Sequence, residues 1–235
     1  MIFKNILIII YANNVYVKIL FIIVSYCWLL TNSIIEFEIG SLLMGEVTMN
    51  LRKEIENYLP YNCEEEKDKE IMLKYMDTFD DILTRNNEIG HFTSSCWIVN
   101  KDKTKVLMAY HNIYDSWAWT GGHADGDGDL LYVSLKEAKE ETGLKDVTPL
   151  SDKIFSLEVL GVDGHIKRGK YISSHIHLNV TYLLCADETE LTHVKADENS
   201  AVKWFDLEEA VKASNEPYMK KIYSKLNKKL EDLKK

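Results

Sequence analysis

One helix interrupts a region that otherwise reads as strands, and this constrains the fold more than any other feature. The turn Gly121-Gly122 leads into an acidic loop, Asp129 to Thr142 carries a helical pattern, and Gly143 ends it as an ordinary C-cap. Before the turn, Phe92 to Val99 is rich in β-branched and aromatic residues. Asn100-Lys101-Asp102-Lys103 then turns the chain into a second strand, Lys105 to Tyr110, to make a hairpin. After the helix, Ile154 to Val162 and Ile176 to Cys185 read as strands. The second is long and apolar, so it is expected at the centre of the sheet. Val202 to Phe205 adds a short strand, Asp206 is placed to cap a helix over Leu207 to Ala213, and Pro217 to Lys235 forms a last helix. Upstream, Leu51, Ile55 and Leu59 recur at helical spacing, Pro60 breaks the run, and Glu64 to Phe79 resumes it. One helix set among strands, with helices at both ends, predicts an α+β fold or an α/β sandwich.

At 235 residues the chain has room for one domain plus an appendage. Its net charge is -9, and Met1 to Thr48 contributes only Lys4, Lys18, Glu36, Glu38 and Glu46 to the charged total. The acidity therefore belongs to the body, and its field repels nucleic-acid backbone and anionic lipid. A small anionic ligand would need a local device, most simply a bound cation. Cys27, Cys63, Cys96 and Cys185 lie far apart without a CxxC spacing. They are expected to be free thiols in a reducing compartment, the cytoplasm, rather than a zinc site. Residues 1–48 form an apolar extension of different character. Val15 to Leu30 is short for a membrane helix, which needs about 20 residues. No convincing small-residue cleavage site follows it, as a signal peptide would require. The run Met44-Gly45-Glu46-Val47-Thr48-Met49 back-translates to a purine-rich stretch before an ATG, which favours a start at Met49. A membrane is a partner only if residues 1–48 belong to the native product.

Glu137, Glu140 and Glu141 stand at i, i+3 and i+4, so a helix gathers three carboxylates on one flank. Each like-charged pair costs about 0.2–0.5 kcal/mol. The last turn, just before Gly143, is also where the helix dipole disfavours anions. Lys136 and Lys139 offset part of this, but helix stability alone would place the lysines last. A hard divalent cation such as Mg2+ takes oxygen ligands and would reverse the sign of the problem; a solvated charged face is the alternative. Asp125-x-Asp127-x-Asp129 resembles the opening of an EF-hand loop, but its sixth and twelfth positions are Leu130 and Lys136, not glycine and glutamate.

The stretch from Gly122 to Leu144 resembles the Nudix box, G-x5-E-x7-R-E-U-x-E-E-x-G-U, with U a bulky aliphatic residue. Gly122, Glu137, Glu140, Glu141, Gly143 and Leu144 match without gaps. Ala138 is a small residue at an aliphatic position, Lys136 stands where arginine is usual, and Gly128 replaces the first glutamate. Asp127 and Asp129 flank Gly128 and are expected to supply the missing charge. The longer run from Gly121 also looks like a MutT-like bacterial subgroup without a settled substrate. The resemblance implies the Nudix fold, an α/β/α sandwich around a mixed sheet. It implies a hydrolase domain at 90–210, which leaves the helices read from periodicity as a helical N-terminal cap at 49–89 and a C-terminal helix at 211–235. It implies Mg2+- or Mn2+-dependent hydrolysis of a phosphoanhydride in a nucleoside diphosphate linked to some group X. Glu137, Glu140 and Glu141 would bind the metal, with Gly122 beside them in the ligand set. Lysine lacks arginine's bidentate fork, so the carboxylates near Lys136 would be positioned more loosely.

Other candidate residues lie outside the matched positions of the box. Glu198 is a candidate base or extra ligand, against ordinary surface charge. His165, Lys167, Arg168 and Lys170 form a basic stretch in an acidic chain, either a hairpin tip or a phosphate contact. His175 and His177 alternate and so share one strand face, lining a pocket or simply forming a polar face. Trp117 and Trp119 also share a face, for the core or for stacking on a base or sugar. The substrate-binding candidates are Lys136, His123, Arg168 and Trp119. Two alternatives to hydrolysis are a Nudix-fold sensor that binds a nucleotide without cleaving it, and an isopentenyl-diphosphate isomerase, which would need a cysteine such as Cys96 at its pocket. The sequence leaves the diphosphate substrate and the oligomeric state, a homodimer included, open.

Overall fold

Two parallel strands carry the sheet, and their neighbours are added at its edges. The structure is a computed structural model that describes residues 48–167 and 169–234. The chain divides into units Met1–Glu46 and Val47–Lys235, and the second is described below. The expectations on residues 1–47 and on Arg168 lie outside the described residues. Strand β1 (Gly90–Asn100) runs parallel to β9 (His175–Ala186), in register from Gly90 opposite Ile176 to Asn100 opposite Ala186. β1 is buried along its whole length, as a strand covered on both faces must be. Antiparallel partners extend the sheet on either side. Strands β2 (Lys105–His111), β3 (Ser116–Ala118), β4 (Thr120–His123) and β10 (Asn199–Asp206) lie on the β1 side. Strands β5 (Val147–Pro149) and β6 (Ser156–Val162) pair with β9. The mixed sheet and the central position of the long apolar strand match the sequence expectation. A separate hairpin, β7 (His165–Lys167) with β8 (Lys170–Ile172), holds His165, Lys167 and Lys170 of the basic stretch.

Alternation along β1 divides the core. Phe92, Cys96 and Ile98 pack with Leu51 and Ile55 of helix α1 (residues 48–57), Met72 of α2 (Cys63–Met76), and Leu130, Val133 and Ala138 of α3 (Leu130–Thr142). Trp97 and Val99 face the other way, onto Ala210 of α4 (Leu207–Ala213) and Met219, Ile222, Tyr223, Leu226 and Leu230 of α5 (Pro217–Asp232). Helices thus cover both faces. Three local expectations change. Leu59 is 87% exposed because α1 has already ended, as Pro60 disfavours helical geometry in the residue before it. Phe79 lies beyond α2 and packs its ring against Tyr75. Asp206 precedes α4, but its side chain makes no capping bond. Among the described residues, no helix is long and apolar enough to cross a membrane.

At the edge strand β6, a buried ion cluster ties α2 to α5. The Glu65 carboxylate, with no exposed surface, lies 2.9 Å from Lys229 Nζ and 3.0 Å from Lys225 Nζ, and it accepts from the Ser156 hydroxyl at 2.7 Å. Burial alone would raise its pKa, but the two ammonium groups outweigh burial and hold it at about 2. A carboxylate depressed in the folded state stabilises above its unfolded pKa, about 4.3, and that contribution fades as pH falls towards 2. Glu65→Gln is therefore expected to lower unfolding stability at pH 7 by about 3–5 kcal/mol, because it strands buried ammonium charge. It should also flatten the loss of stability between pH 4.3 and 2, measured by urea unfolding at several pH values. Unchanged curves would remove the cluster from the account.

Candidate functional site

Helix α3 begins and ends where its local chemistry requires. Asp129 caps it by accepting from the Tyr132 amide at 2.9 Å. Gly143 closes it at φ 73°, a left-handed conformation that costs other residues roughly 1 kcal/mol or more. A Cβ at Gly143 would also strike the His193 ring. The loop before β10 covers the helix end. The His193 amide donates to the Thr142 carbonyl at 2.9 Å, and the Asn199 side-chain amide donates to the Glu141 carbonyl at 3.0 Å. Terminal helix carbonyls that lack partners within the helix are satisfied in this way.

This closure sets the three helix glutamates in different environments. Glu141 is 4% exposed and accepts from the Gly121 amide of β4 at 2.8 Å. Burial pushes its carboxyl up to about 8; the charges of Glu137 and Glu198 add to the shift, while the Gly121 bond and Lys195 oppose it. Glu137 is largely buried, and burial raises its pKa too, with Lys195 and Lys136 pulling back against Glu140 and Glu198. Gly122 gives it space: a Cβ there would lie 2.5 Å from Glu137 Cδ and 2.7 Å from its Oε1. Glu140 is the open member of the set.

Lys195 supplies positive charge to this cluster. Its Nζ is 2.9 Å from Glu198 and 3.4 Å from Glu140. Burial disfavours its charge, but the bonds to Glu198 and Glu140 and the field of Glu137 prevail and raise its pKa. A cation therefore already stands among the box carboxylates, and the donors around it are oxygens of the kind that hold a hard divalent ion. The chemistry of this donor set suits such a metal.

The structure thus brings together Glu137, Glu140, Glu141, Glu198, Lys136 and Gly122. Lys136 Nζ lies 3.9 Å from Glu137 and 3.8 Å from Glu140, too far to hydrogen-bond, as a lysine in place of a forked guanidinium suggests. Asp127 and Asp129 do not replace the missing glutamate. Asp127 accepts from the Asp129 amide at 2.9 Å and Asp129 caps the far end of α3, so both are committed to the loop. His123 follows Gly122, but its ring joins His91 and His177. Trp119 is not brought to the cluster: its ring packs edge-on against Tyr223 in the α5 core, 5.6 Å between centroids. Trp117 packs edge-on against Phe205. Cys96 is fully buried, its thiol pKa is raised by that burial, and it contacts Thr120 Oγ1 at 2.9 Å. It is a core residue and does not serve as an isomerase cysteine. Sequence reasoning missed Lys195 and the Gly121 amide. Lys195 lies three residues before Glu198, and that i,i+3 spacing was the one local sign of it.

The NUDIX domain profile matches residues 90–226, more than half of the chain, and the chain belongs to the Nudix family. It is a hydrolase of that family, whose members generally use a divalent metal. Solved structures offer distant likenesses. The binary complex of a C. elegans Ap4A hydrolase is 20% identical, with 60% of this chain and 96% of that chain covered at a TM-score of 0.45. A NUDIX-family hydrolase from Clostridium perfringens is 24% identical over 61% and 97%, at 0.44. The MutT protein from Methanosarcina mazei is 14% identical over 60% and 96%, at 0.47. No curated protein matches.

A raised carboxyl stabilises the fold only while it keeps its proton. The contribution of Glu141 is full below its unfolded pKa, about 4.3, and is lost as pH rises through about 8. In chelator, Glu141→Gln is expected to exceed the wild type in stability by about 2–4 kcal/mol at pH 9 and by much less at pH 5. Denaturant unfolding at both pH values checks this, and equal stability at pH 9 would contradict the burial argument.

Proposed function

We propose that this chain hydrolyses a phosphoanhydride bond in a small-molecule nucleoside diphosphate linked to a further group, with Mg2+ or Mn2+ bound at α3. The observation that carries the reading is the Lys195 ammonium group, in contact with Glu198 and Glu140 and within the field of Glu137 and Glu141, beside a glycine that leaves room for the Glu137 carboxylate. Glu137, Glu140 and Glu141 would hold the ion, with Gly122 next to them. When bound, a divalent ion neutralises the diphosphate, activates a water and stabilises charge on the leaving phosphate.

The remaining work falls to the chain. The Gly121 amide fixes the Glu141 carboxylate and keeps one of its oxygens from rotating away. Gly143 and Asn199 lock the last turn, so the glutamates keep their mutual geometry. Glu198 reaches the cluster from a different element and is the group proposed to take the proton of the attacking water. Lys195 holds Glu198 in place and offsets part of the cluster's charge in the absence of substrate. Lys136, half-exposed beside Glu137 and Glu140, is available to a substrate phosphate. The body's negative charge disfavours long polyanions and suits a small substrate brought in with its cation.

The test is turnover of nucleoside triphosphates, sugar nucleotides and dinucleoside polyphosphates by the purified chain in Mg2+, read as released phosphate or pyrophosphate. Glu140→Gln and Glu141→Gln are each expected to reduce the rate by about 100-fold or more, the scale of losing a group that stabilises transition-state charge. Near wild-type rates in both would overturn the reading. Nucleotide binding without turnover in any metal would favour the sensor instead.

A further inference from the structure

Away from the glutamates, histidines from three strands meet at one corner of the sheet. His91 of β1 lies in register with His177 of β9, and His175 is two residues away on the same strand face. His123 of β4 pairs with Thr93, two residues along β1. The ring centroids of His175 and His177 are each 5.1 Å from that of His91, and His123 is 5.1 Å from His91 and 5.0 Å from His177. One ring nitrogen each from His91, His175 and His177 falls within a common 4.8 Å. This corner is separate from the box helix. Odd-numbered β1 residues face the histidines, whereas the Ser94 hydroxyl donates to the Leu130 carbonyl of α3 on the opposite face.

Hydrogen bonding fixes which nitrogens can act as ligands. His91 Nδ1 lies 2.9 Å from the Asn87 carbonyl and His175 Nδ1 lies 2.8 Å from the Ser173 carbonyl. A carbonyl only accepts, so both Nδ1 atoms carry the proton, and in the neutral rings both Nε2 atoms present a lone pair. This is how metal-binding histidines are held, with the far nitrogen anchored to a carbonyl and the near one bare. His91 is 4% exposed, yet its Nε2 has no hydrogen-bond partner among the described residues, and such an orphaned buried atom calls for an explanation. His175 Nε2 and His177 Nε2 are 3.1 Å apart. Two nitrogens bonded to one tetrahedral ion at about 2.0–2.1 Å would be roughly 3.3 Å apart.

We propose that His91, His175 and His177 bind a divalent transition-metal ion of the zinc type, through their Nε2 atoms, at a site distinct from the glutamate cluster. Imidazole selects such ions, whereas Mg2+ prefers oxygen. Three protein ligands leave a fourth position for water or a small ligand. On binding, His177 gives up the Nε2 proton that it donates to His175 and takes one from solvent at Nδ1, so the ring stays neutral and the cation occupies the vacated position.

Titration of the full chain with Co2+, in excess Mg2+, reads this site through visible d–d absorption. One equivalent of Co2+ is expected to develop bands that Zn2+ then abolishes. His175→Ala and His177→Ala should each lose the bands, with the fold checked by circular dichroism. His175 is only half-buried at the start of β9, so its removal leaves the core intact. Glu140→Gln and Cys63→Ser should keep the bands, so a failure here is distinguishable from a failure of the hydrolase reading. Absent bands in the wild type, bands that survive both histidine substitutions, or bands that vanish in Cys63→Ser would each overturn the proposal.

Discussion

The bond from the Gly121 amide to the Glu141 carboxylate couples the sheet to the helix that bears the site. It places a carboxylate inside the protein, where burial opposes its charge, and it fixes the end of α3 against β4. The rest of the arrangement follows from that placement. With Glu141 turned inward, Glu137 lies on the neighbouring flank and needs the space that Gly122 leaves. Glu140 remains on the open side, where Lys136 and Lys195 approach it.

A charge imbalance of this kind is costly to a fold that needs only to be stable. Carboxylates with raised pKa values gather at the helix end that the dipole already makes negative. The chain answers with Lys195, delivered by a loop more than fifty residues downstream and pinned to the helix through His193 and Asn199. Structural ion clusters in the same protein look different. Around Glu65 the cations outweigh burial and the carboxylate is held low, so that cluster is satisfied as it stands. At α3 the balance is left unfinished, and positive charge is what would complete it.

Much of this was legible in the sequence because it is local. The i, i+3, i+4 spacing of the glutamates, the Gly143 stop, the hairpin turn at 100–103 and the length of β9 each follow from a few adjacent residues. Contacts between distant segments were not legible. Nothing near Glu140 announces Lys195, and nothing near Trp119 announces Tyr223, which draws it into the core. Asp127 and Asp129 looked like spare charge because the sequence does not reveal that one makes a turn and the other caps a helix. The histidines were separated into a strand pair and a lone box residue until the parallel register of β1 and β9 brought His91 to His177.

On the reading proposed above, the α3 glutamates exist to hold a divalent cation. Crystals grown with Mn2+ test it most directly, through anomalous scattering near the manganese edge. The expected result is a peak coordinated by oxygens of Glu137, Glu140 and Glu141, with the Lys195 ammonium moved away from Glu140. A well-ordered α3 with Lys195 still in place and no peak among those carboxylates would contradict it.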